Sequence, residues 1–431
     1  MIWIIIALAV LMLVLGFELF LVLGVPVYLV KAAYYGSAPD EILVQKMVGG
    51  INHSILLAIP FFVFAGELMA GGRIARLLSR AAEAGFRGVR GGAGHAAVVS
   101  SMAFGSVSGS APATVAALGR LMYPRLRATG FSESFSLGLV ISSAETALLI
   151  PPSISLIIYG WLTETSISRL FAAGLVVGVV LGLAFHALVA YEVWRRGVGS
   201  PAERRDAATE ALRGTAWALG MPAIILGGIY SGVFTATEAA AVSVLYALFV
   251  EAAVFRTLGL RAFFQVAQRS AVLTTVIFML IAVGSALSYF ITVAHVPQAV
   301  LAFMKAIDAG PLAFLLIVNV VFLIAGMFID PGAAMLVLVP ALFPVARSFG
   351  IDPVHFGVVI GVTVCIAMIT PPFGLDIFVA ASTLNKKVLD ITRGVWPFIA
   401  VNLVVLAIVT CVPGVATFLP NLLMGDSKIH P

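Results

Sequence analysis

Apolar runs of 18 or more residues recur along this whole chain. Each is long enough for a helix to cross the hydrocarbon of a bilayer. In lipid a helix satisfies its backbone N–H and C=O groups within its own segment, so the sequence specifies an all-α polytopic membrane protein. Charge is correspondingly scarce. Only 10% of the 431 residues are Asp, Glu, Lys or Arg, against about 25% in a soluble domain, and the mean hydropathy is +1.12.

The first run, residues 2–30, could pass for a secretory signal peptide. It lacks a basic leading stretch and a small-residue cleavage site, and it is too long, so it reads as the first span. The net charge of +5 does not point to nucleic acid, because the basic residues are spread between the spans. Cys365 and Cys411 lie in apolar runs and read as packing residues; no CxxC pair or disulfide framework exists.

Breakers between the runs give spans near 2–30, 52–69, 131–160, 167–193, 214–231, 237–255, 271–290, 355–382 and 394–419. Two further runs, 94–118 and 311–346, are apolar but interrupted in the middle by Gly, Ser and Pro. Each is either a poor span or a hairpin that enters and leaves on one side. The basic residues decide between these. With both as hairpins, 19 of the 25 Lys and Arg fall on one side, and only Lys31, Lys46, Arg169, Lys305, Arg347 and Lys428 fall on the other. The positive-inside rule makes the first side cytoplasmic. The N-terminus is then inside, the C-terminus outside, and the two hairpins enter from opposite sides.

An internal repeat agrees. "IPPSISLIIYG" begins at Ile150 and "TPPFGLDIFVA" at Thr370, 220 residues later. Ser110 precedes Pro151 by 41 residues, and Asp330 precedes Pro371 by the same 41. One Pro-Pro pair could serve packing alone. Two pairs, each with a hairpin break at the same distance and with opposite topology, are a mark of inverted-repeat secondary transporters. Between these elements, 70–93 carries arginines at helical spacing opposite Ile74, Leu77 and Leu78, which predicts an interfacial helix. Residues 294–308 are its expected counterpart on the other surface.

The breaks are where chemistry is expected. Irregular backbone survives at membrane depth only where it lines a cavity or is buried in protein. "AFGSVSGSAPATVAALG" offers the hydroxyls of Ser106, Ser108 and Ser110, with glycines that permit a sharp turn. Pro151 and Pro152 release the carbonyls before them from the helix ladder. Converging neutral oxygens suit a small hard cation such as Na⁺. The half-helix after Pro152 presents N–H groups and a positive dipole end to a carboxylate. The second repeat supplies Asp330, Gly332, Ala367, Thr370 and Pro372 at the matching places. Any one serine, taken alone, reads better as a helix-packing residue. Glu67, Glu145, Glu238, Asp330 and Asp376 fall in or at the ends of apolar runs, where acids are costly and paired or functional. No intramembrane Lys or Arg lies near the broken spans. "GSVSG" is not a nucleophile elbow, because Val107 stands where the serine belongs. No HExxH, Walker loop or Cys/His pair occurs, and His53, His95, His186 and His355 are scattered. The pattern is that of a non-enzyme.

The stretches "LLAIPFFVFAGELM", "FGSVSGSAPATVAALG", "LLIPPSISLIIYG", "TATEAAAVSVLYAL", "GMFIDPGAAMLVLVPALFPVARSFGIDPVHFGVV" and "MITPPFGLDIFV" together resemble the large membrane subunit of tripartite ATP-independent periplasmic (TRAP) transporters, from about Leu56 to Val379. The resemblance implies an inverted-repeat elevator fold, sodium-coupled uptake of a small organic acid, a small membrane subunit and a periplasmic substrate-binding protein, in a bacterial or archaeal inner membrane. It implies one Na⁺ site at Ser108, Ser110, Ala147, Ile150 and Pro152, and by the repeat a second at Asp330, Gly332, Ala367, Thr370 and Pro372. Substrate is expected at Ser106, Ser110, Ser153, Gly374 and Asp376. Glu67, Glu145 with Ala147, and Asp376 depart from the family's common pattern.

The expected organisation is a first scaffold with a cytoplasmic arm (1–93), a first transport unit (94–160), scaffold and linker spans with an outer arm (161–310), a second transport unit (311–385), and a last span with a tail (386–431). The rival classes are a channel, which the opposed hairpins disfavour, and an intramembrane hydrolase, which would need a base beside a hairpin serine. A transporter of this fold working alone is the nearer alternative.

Overall fold

The computed structural model describes residues 2–36, 39–70, 73–198 and 208–425. Arg204, Arg205 and Lys428, used above to assign sides, lie outside them. The described residues form helices and turns without strands. The first repeat runs α1 (Ile2–Val14), α2 (Leu19–Tyr34), α3 (Glu41–Ile51), α4 (Ala58–Met69), α5 (Arg73–Gly85), α6 (Gly92–Ser108), α7 (Ala111–Ala128), α8 (Glu133–Ala144) and α9 (Ile154–Thr163). Then follow α10 (Ile167–Arg196), α11 (Ala208–Tyr230) and α12 (Ala236–Phe249). The second repeat has α13 (Leu260–Val293), α14 (Val296–Ala306), α15 (Pro311–Gly326), α16 (Pro331–Ser348), α17 (Pro353–Ile369), α18 (Leu375–Leu384), α19 (Val388–Cys411) and α20 (Gly414–Met424).

Both broken runs are helix–turn–helix hairpins. In the first, α6 ends at Gly109, which turns the chain in the left-handed region (φ +61°), and Ser110 caps α7. In the second, Asp330 caps α16, and Pro331 opens the helix at the position where a missing N–H is harmless. The Pro-Pro spans are broken as expected: α8 tightens into a 3₁₀ turn, Glu145–Leu148, and α9 restarts at Ile154, while α17 stops at Ile369 and α18 starts at Leu375. Both Pro-Pro bonds are cis. The repeats interlock: α9 packs on α16 of the second hairpin, and α18 packs on α7 of the first. Around this unit, α3, α4, α12 and α13 pack on one another as a framework, and α13 also contacts α16.

The predicted arm is α5, which buries Ile74, Ala75 and Leu78 under its arginine face, and α14 is its counterpart. Three expectations need correction. The first run is two helices, because Gly16 (φ +78°) turns the chain between them. The span expected near 52–69 begins earlier: residues 41–51 form α3, and with the segment Ser54–Met69 it makes a span bent by 58°. The last span stops at Cys411, and Pro413 begins a separate α20. Large apolar side chains stay exposed on helices that face outward, among them Leu273 and Val276 of α13 and Leu403 and Val404 of α19. These are surfaces for lipid to cover.

Side-chain bonds between helices join residues that the sequence assigns to the same side. At the basic end, Arg73 donates to the Phe255 carbonyl at 3.2 Å and Lys386 pairs with Glu133 at 2.6 Å. At the other end, Arg169 reaches Asn421 and the Gly425 carbonyl, and the Tyr159 hydroxyl donates to the Pro353 carbonyl at 2.6 Å.

Candidate functional site

The hairpin tips and the helix breaks meet at one cavity of about 170 Å³. Gly109 and Ser110 come from the first tip, and Asp330, Pro331 and Gly332 from the second. Ile154, Ser155 and Ile158 line it from the start of α9, and Leu375 from the start of α18. Ile277 and Leu280 of α13 close the framework side. The volume lies below the ~300–1,000 Å³ of sites for drug-sized ligands, so it suits a small solute.

Four helices, α7, α9, α16 and α18, begin at this cavity. Each N-terminus directs N–H groups and the positive end of a helix dipole, roughly half a charge, toward a cavity whose lining holds no cationic side chain and one carboxylate, Asp330. No Lys, Arg or His is among its lining residues. Three of the four starts are capped. The Ser110 hydroxyl accepts from the Ala113 N–H at 3.4 Å and the Ser153 hydroxyl from the Leu156 N–H at 3.3 Å. Asp330 Oδ2 accepts from the Gly332 and Ala333 N–H groups at 2.9 and 3.2 Å.

The first tip is seated on the first break. A Cβ on Gly109 would stand 2.8 Å from the Pro152 carbonyl oxygen, and one on Gly105 would stand 2.7 Å from the Ala147 Cβ. The second repeat copies the latter contact, since a Cβ on Gly326 would lie 2.7 Å from the Ala367 Cβ. Only glycine permits this approach in either repeat. The Phe328 and Phe373 rings, 5.3 Å apart, join the second tip to the second break.

The expected sodium ligands of the first repeat are therefore neighbours. Ser108 shares a 3.1 Å hydrogen bond with Thr114, whose hydroxyl also donates to the Ser110 carbonyl at 2.8 Å. The Ala147 carbonyl is released from the helix ladder: Pro151 brings no N–H, and the Ile150 N–H goes to Thr146 at 2.8 Å. The Pro152 carbonyl faces the Gly109 turn. These oxygens fit a small hard cation. In the second set the Ala367 and Thr370 carbonyls already accept backbone N–H groups, at 3.1 and 3.2 Å, and the Thr370 hydroxyl donates to Ile366 at 2.6 Å. Pro372 is exposed while Pro152 is buried. The second set is thus less enclosed than the first.

Of the expected substrate residues, Ser110 lines the cavity. Ser106 instead bonds back to the Ala103 carbonyl at 2.8 Å, and the buried Ser153 donates to the Leu148 carbonyl at 2.5 Å. Gly374 and Asp376 lie just before and after the cavity-lining Leu375, and neither lines the cavity. Ser155 does, and sequence reasoning passed over it; its place in the first turn after the Pro-Pro break was the available signal.

A second, open cleft of about 660 Å³ lies between the framework and α9, at the end away from the basic face. Lys46, Gly50 and Ser285 line it on one side, Trp161 and Glu164 on the other. Among the described residues, no group of three or more His, Cys, Asp or Glu is arranged to hold a metal ion.

Two opposed hairpins, two broken helices and one shared apolar cavity define a polytopic membrane permease for a solute. The chain belongs to the DctM component family of tripartite ATP-independent periplasmic transporters, whose family model matches residues 3–415. It is 38% identical over 415 residues to the ectoine/5-hydroxyectoine TRAP transporter large permease protein UehC of Ruegeria pomeroyi, covering 95% of this chain and 96% of that one. It is 40% identical over 390 residues to the ectoine TRAP transporter large permease protein TeaC of Halomonas elongata (90% and 91% covered). It is 39% identical over 389 residues to the C4-dicarboxylate TRAP transporter large permease protein DctM of Pseudomonas aeruginosa (89% and 91% covered). The fold is similar to the crystal structure of the YdaH transporter of Alcanivorax borkumensis, with a TM-score of 0.58 at 14% identity, covering 86% of this chain and 87% of that one.

Proposed function

We propose that this large permease subunit takes a small organic acid into the cell on a sodium gradient, in a bacterial inner membrane. The observation that carries the reading is the convergence of four helix N-termini on one small cavity without a basic side chain. A carboxylate is matched there by backbone N–H groups. Ser108, Ser110 and the carbonyls of Ala147, Ile150 and Pro152 would hold one sodium ion, with Asp330, Gly332, Ala367, Thr370 and Pro372 at the repeat-related place. Bound there, sodium supplies positive charge beside the solute and couples uptake to its own gradient.

The interlocked hairpins and half-helices move together past the framework of α3, α4, α12 and α13 as an elevator. The open cleft beside Trp161 and Glu164 is the entrance for a solute delivered by a periplasmic binding protein, and a small membrane subunit covers part of the framework. Asp330 supports a second reading of the substrate. It is the one carboxylate in the cavity lining, and it suits a solute that carries a positive group as well as a carboxylate. Two of the relatives above are named for ectoine transport, and one for C4-dicarboxylate transport.

Proteoliposomes holding the permease with its small subunit, supplied with the binding protein, test this with labelled ectoine and labelled succinate. Sodium-driven accumulation of either supports the reading, and accumulation of ectoine alone selects the second form of it. Uptake that needs ATP, or that runs at full rate without sodium, refutes it.

A further inference from the structure

The outer cleft has walls of opposite charge. One wall is the framework, α3 and α13; the other is the last turn of α9 and the residue that ends it. The framework wall is firm, because α3 lies so close to α13 that a Cβ on Gly50 would collide with the Ser285 hydroxyl. Lys46 of α3 is held against this wall, with its Nζ 4.7 Å from the centre of the Tyr289 ring. Across the cleft stand Trp161 and Glu164. The Trp161 ring meets the His53 ring edge-on at 6.5 Å, so the two walls touch at this pair.

Glu164 is an unusual residue for its place. It ends α9 in the left-handed region (φ +53°), where Gly or Asn is the ordinary choice. The second repeat supplies a comparison within the same chain: α18, also of 10 residues, ends at Asn385 with φ +51°. The turn therefore does not need a glutamate. Packing does not need one either, since Glu164 is exposed. Neither Glu164 nor Lys46 has an ion-pair partner among the described residues. A side chain held at a backbone cost, with no contact to offset it, points to a ligand.

A compact molecule with one carboxylate and one positive group matches both walls. Its carboxylate meets the Lys46 ammonium, and its positive group meets the Glu164 carboxylate and the face of the Trp161 ring. A dicarboxylate satisfies Lys46 and is repelled by Glu164. The cleft volume of about 660 Å³ leaves room for such a molecule with part of its hydration shell.

We propose that this cleft is an outer binding station for a zwitterionic solute, with Lys46 and Glu164 as its two poles. The helix α9 leads from it to the inner cavity. Ile154, Ser155 and Ile158 line the cavity, and Trp161 and Leu162 line the cleft. The two places lie toward opposite ends of one helix of 10 residues, about 15 Å long. The station rests on the transport reading for the solute's onward path, and on the cleft's own residues for the solute's class.

The test is protection of a cysteine placed in the cleft. Gln45 lines it and is exposed, Cys365 is buried and Cys411 is exposed, so the parent variant is Gln45→Cys with Cys411→Ser. The full chain, prepared with its small subunit as for uptake, reacts with a thiol reagent in detergent, without any sodium gradient, beside ectoine or succinate. Ectoine should slow the labelling and succinate should not. In Glu164→Asn the half-protecting ectoine concentration should rise about tenfold, through loss of one charge-assisted contact. That variant carries the residue that α18 uses at the same turn, so it should unfold no earlier than its parent. Lys46→Gln should weaken protection to a similar degree. Equal protection by succinate, no protection by ectoine, or protection that Glu164→Asn leaves unchanged overturns the proposal. Sodium-driven uptake without protection leaves the transport reading standing and removes the outer station; protection without sodium-driven uptake does the reverse.

Discussion

Replacing Gly109 with Ala separates two demands that the first hairpin tip makes on one residue. Gly109 holds φ +61°, a region that an L residue enters at about 1–2 kcal/mol. Its Cβ would also stand 2.8 Å from the Pro152 carbonyl oxygen, a main-chain atom that cannot rotate away. Overpacking of this kind adds about 1–3 kcal/mol. Gly88 is the matched control: its φ is +74°, and a Cβ there meets nothing within 4 Å. Gly88→Ala therefore carries the backbone term alone, and Gly109→Ala carries both. Thermal unfolding of the two purified variants in one detergent reads the difference. Gly109→Ala should unfold well below Gly88→Ala, with uptake in proteoliposomes falling in the first and persisting in the second. Equal shifts in the two variants would refute the claim that the tip is seated on the Pro-Pro break.

The repeat makes a parallel prediction. Gly105→Ala and Gly326→Ala should each destabilise by about 1–3 kcal/mol. Ala367→Gly should rescue the second almost fully, because the Ala367 Cβ is the one atom in the way. Ala147→Gly should rescue the first only in part, because the Ala147 Cα also stands 2.8 Å off; equal rescue in calorimetry would contradict this packing. Asp330→Asn should keep the α16 cap at a cost well under ~1 kcal/mol, since Asn and Asp cap about equally, while raising the sodium concentration for half-maximal uptake. An unchanged sodium dependence would leave Asp330 only a capping role. At the basic end, the hydrogen bond from Lys386, with a smaller one from Tyr123, holds the Glu133 carboxyl below its usual range. The stabilisation is therefore present above the ordinary carboxylate pKa and lost as pH falls through the depressed value. Lys386→Met should remove a small increment that high salt also removes; a salt-independent loss would point to packing instead.

The sequence exposed the transport unit because breaks at membrane depth need particular residues. Gly109, Ser110, Asp330 and the two Pro-Pro pairs each mark a place where a helix stops or starts, and the structure has a helix boundary at each. The framework was harder to read. Residues 41–51 form α3 with no fully buried side chain; its Leu43 and Met47 are only partly buried, against the cluster of Val27, Ala286 and Phe290, and the run is too short to stand out as a span. Gly16 and Pro413 divide runs whose apolar character continues across the division. The cavity lining was legible only in part: Ser110 followed from the tip, while Ser155 and the α13 residues Ile277 and Leu280 depend on how separate helices meet. The Asn402–Glu145 bond joins residues 257 positions apart, and no local pattern announces it. Glu145 could be flagged as costly from sequence, but its partner required the fold.

In the proposed transport scheme, the oxygens at the first tip and the first break couple sodium to solute movement. This coupling is tested most directly by a sodium titration of solute uptake in proteoliposomes, wild type beside Ser108→Ala, with no ATP present. Wild-type uptake should saturate with external sodium and vanish without it, and Ser108→Ala should need a clearly higher sodium concentration. Full uptake without sodium, or a Ser108→Ala curve that overlays the wild type, would contradict the coupling.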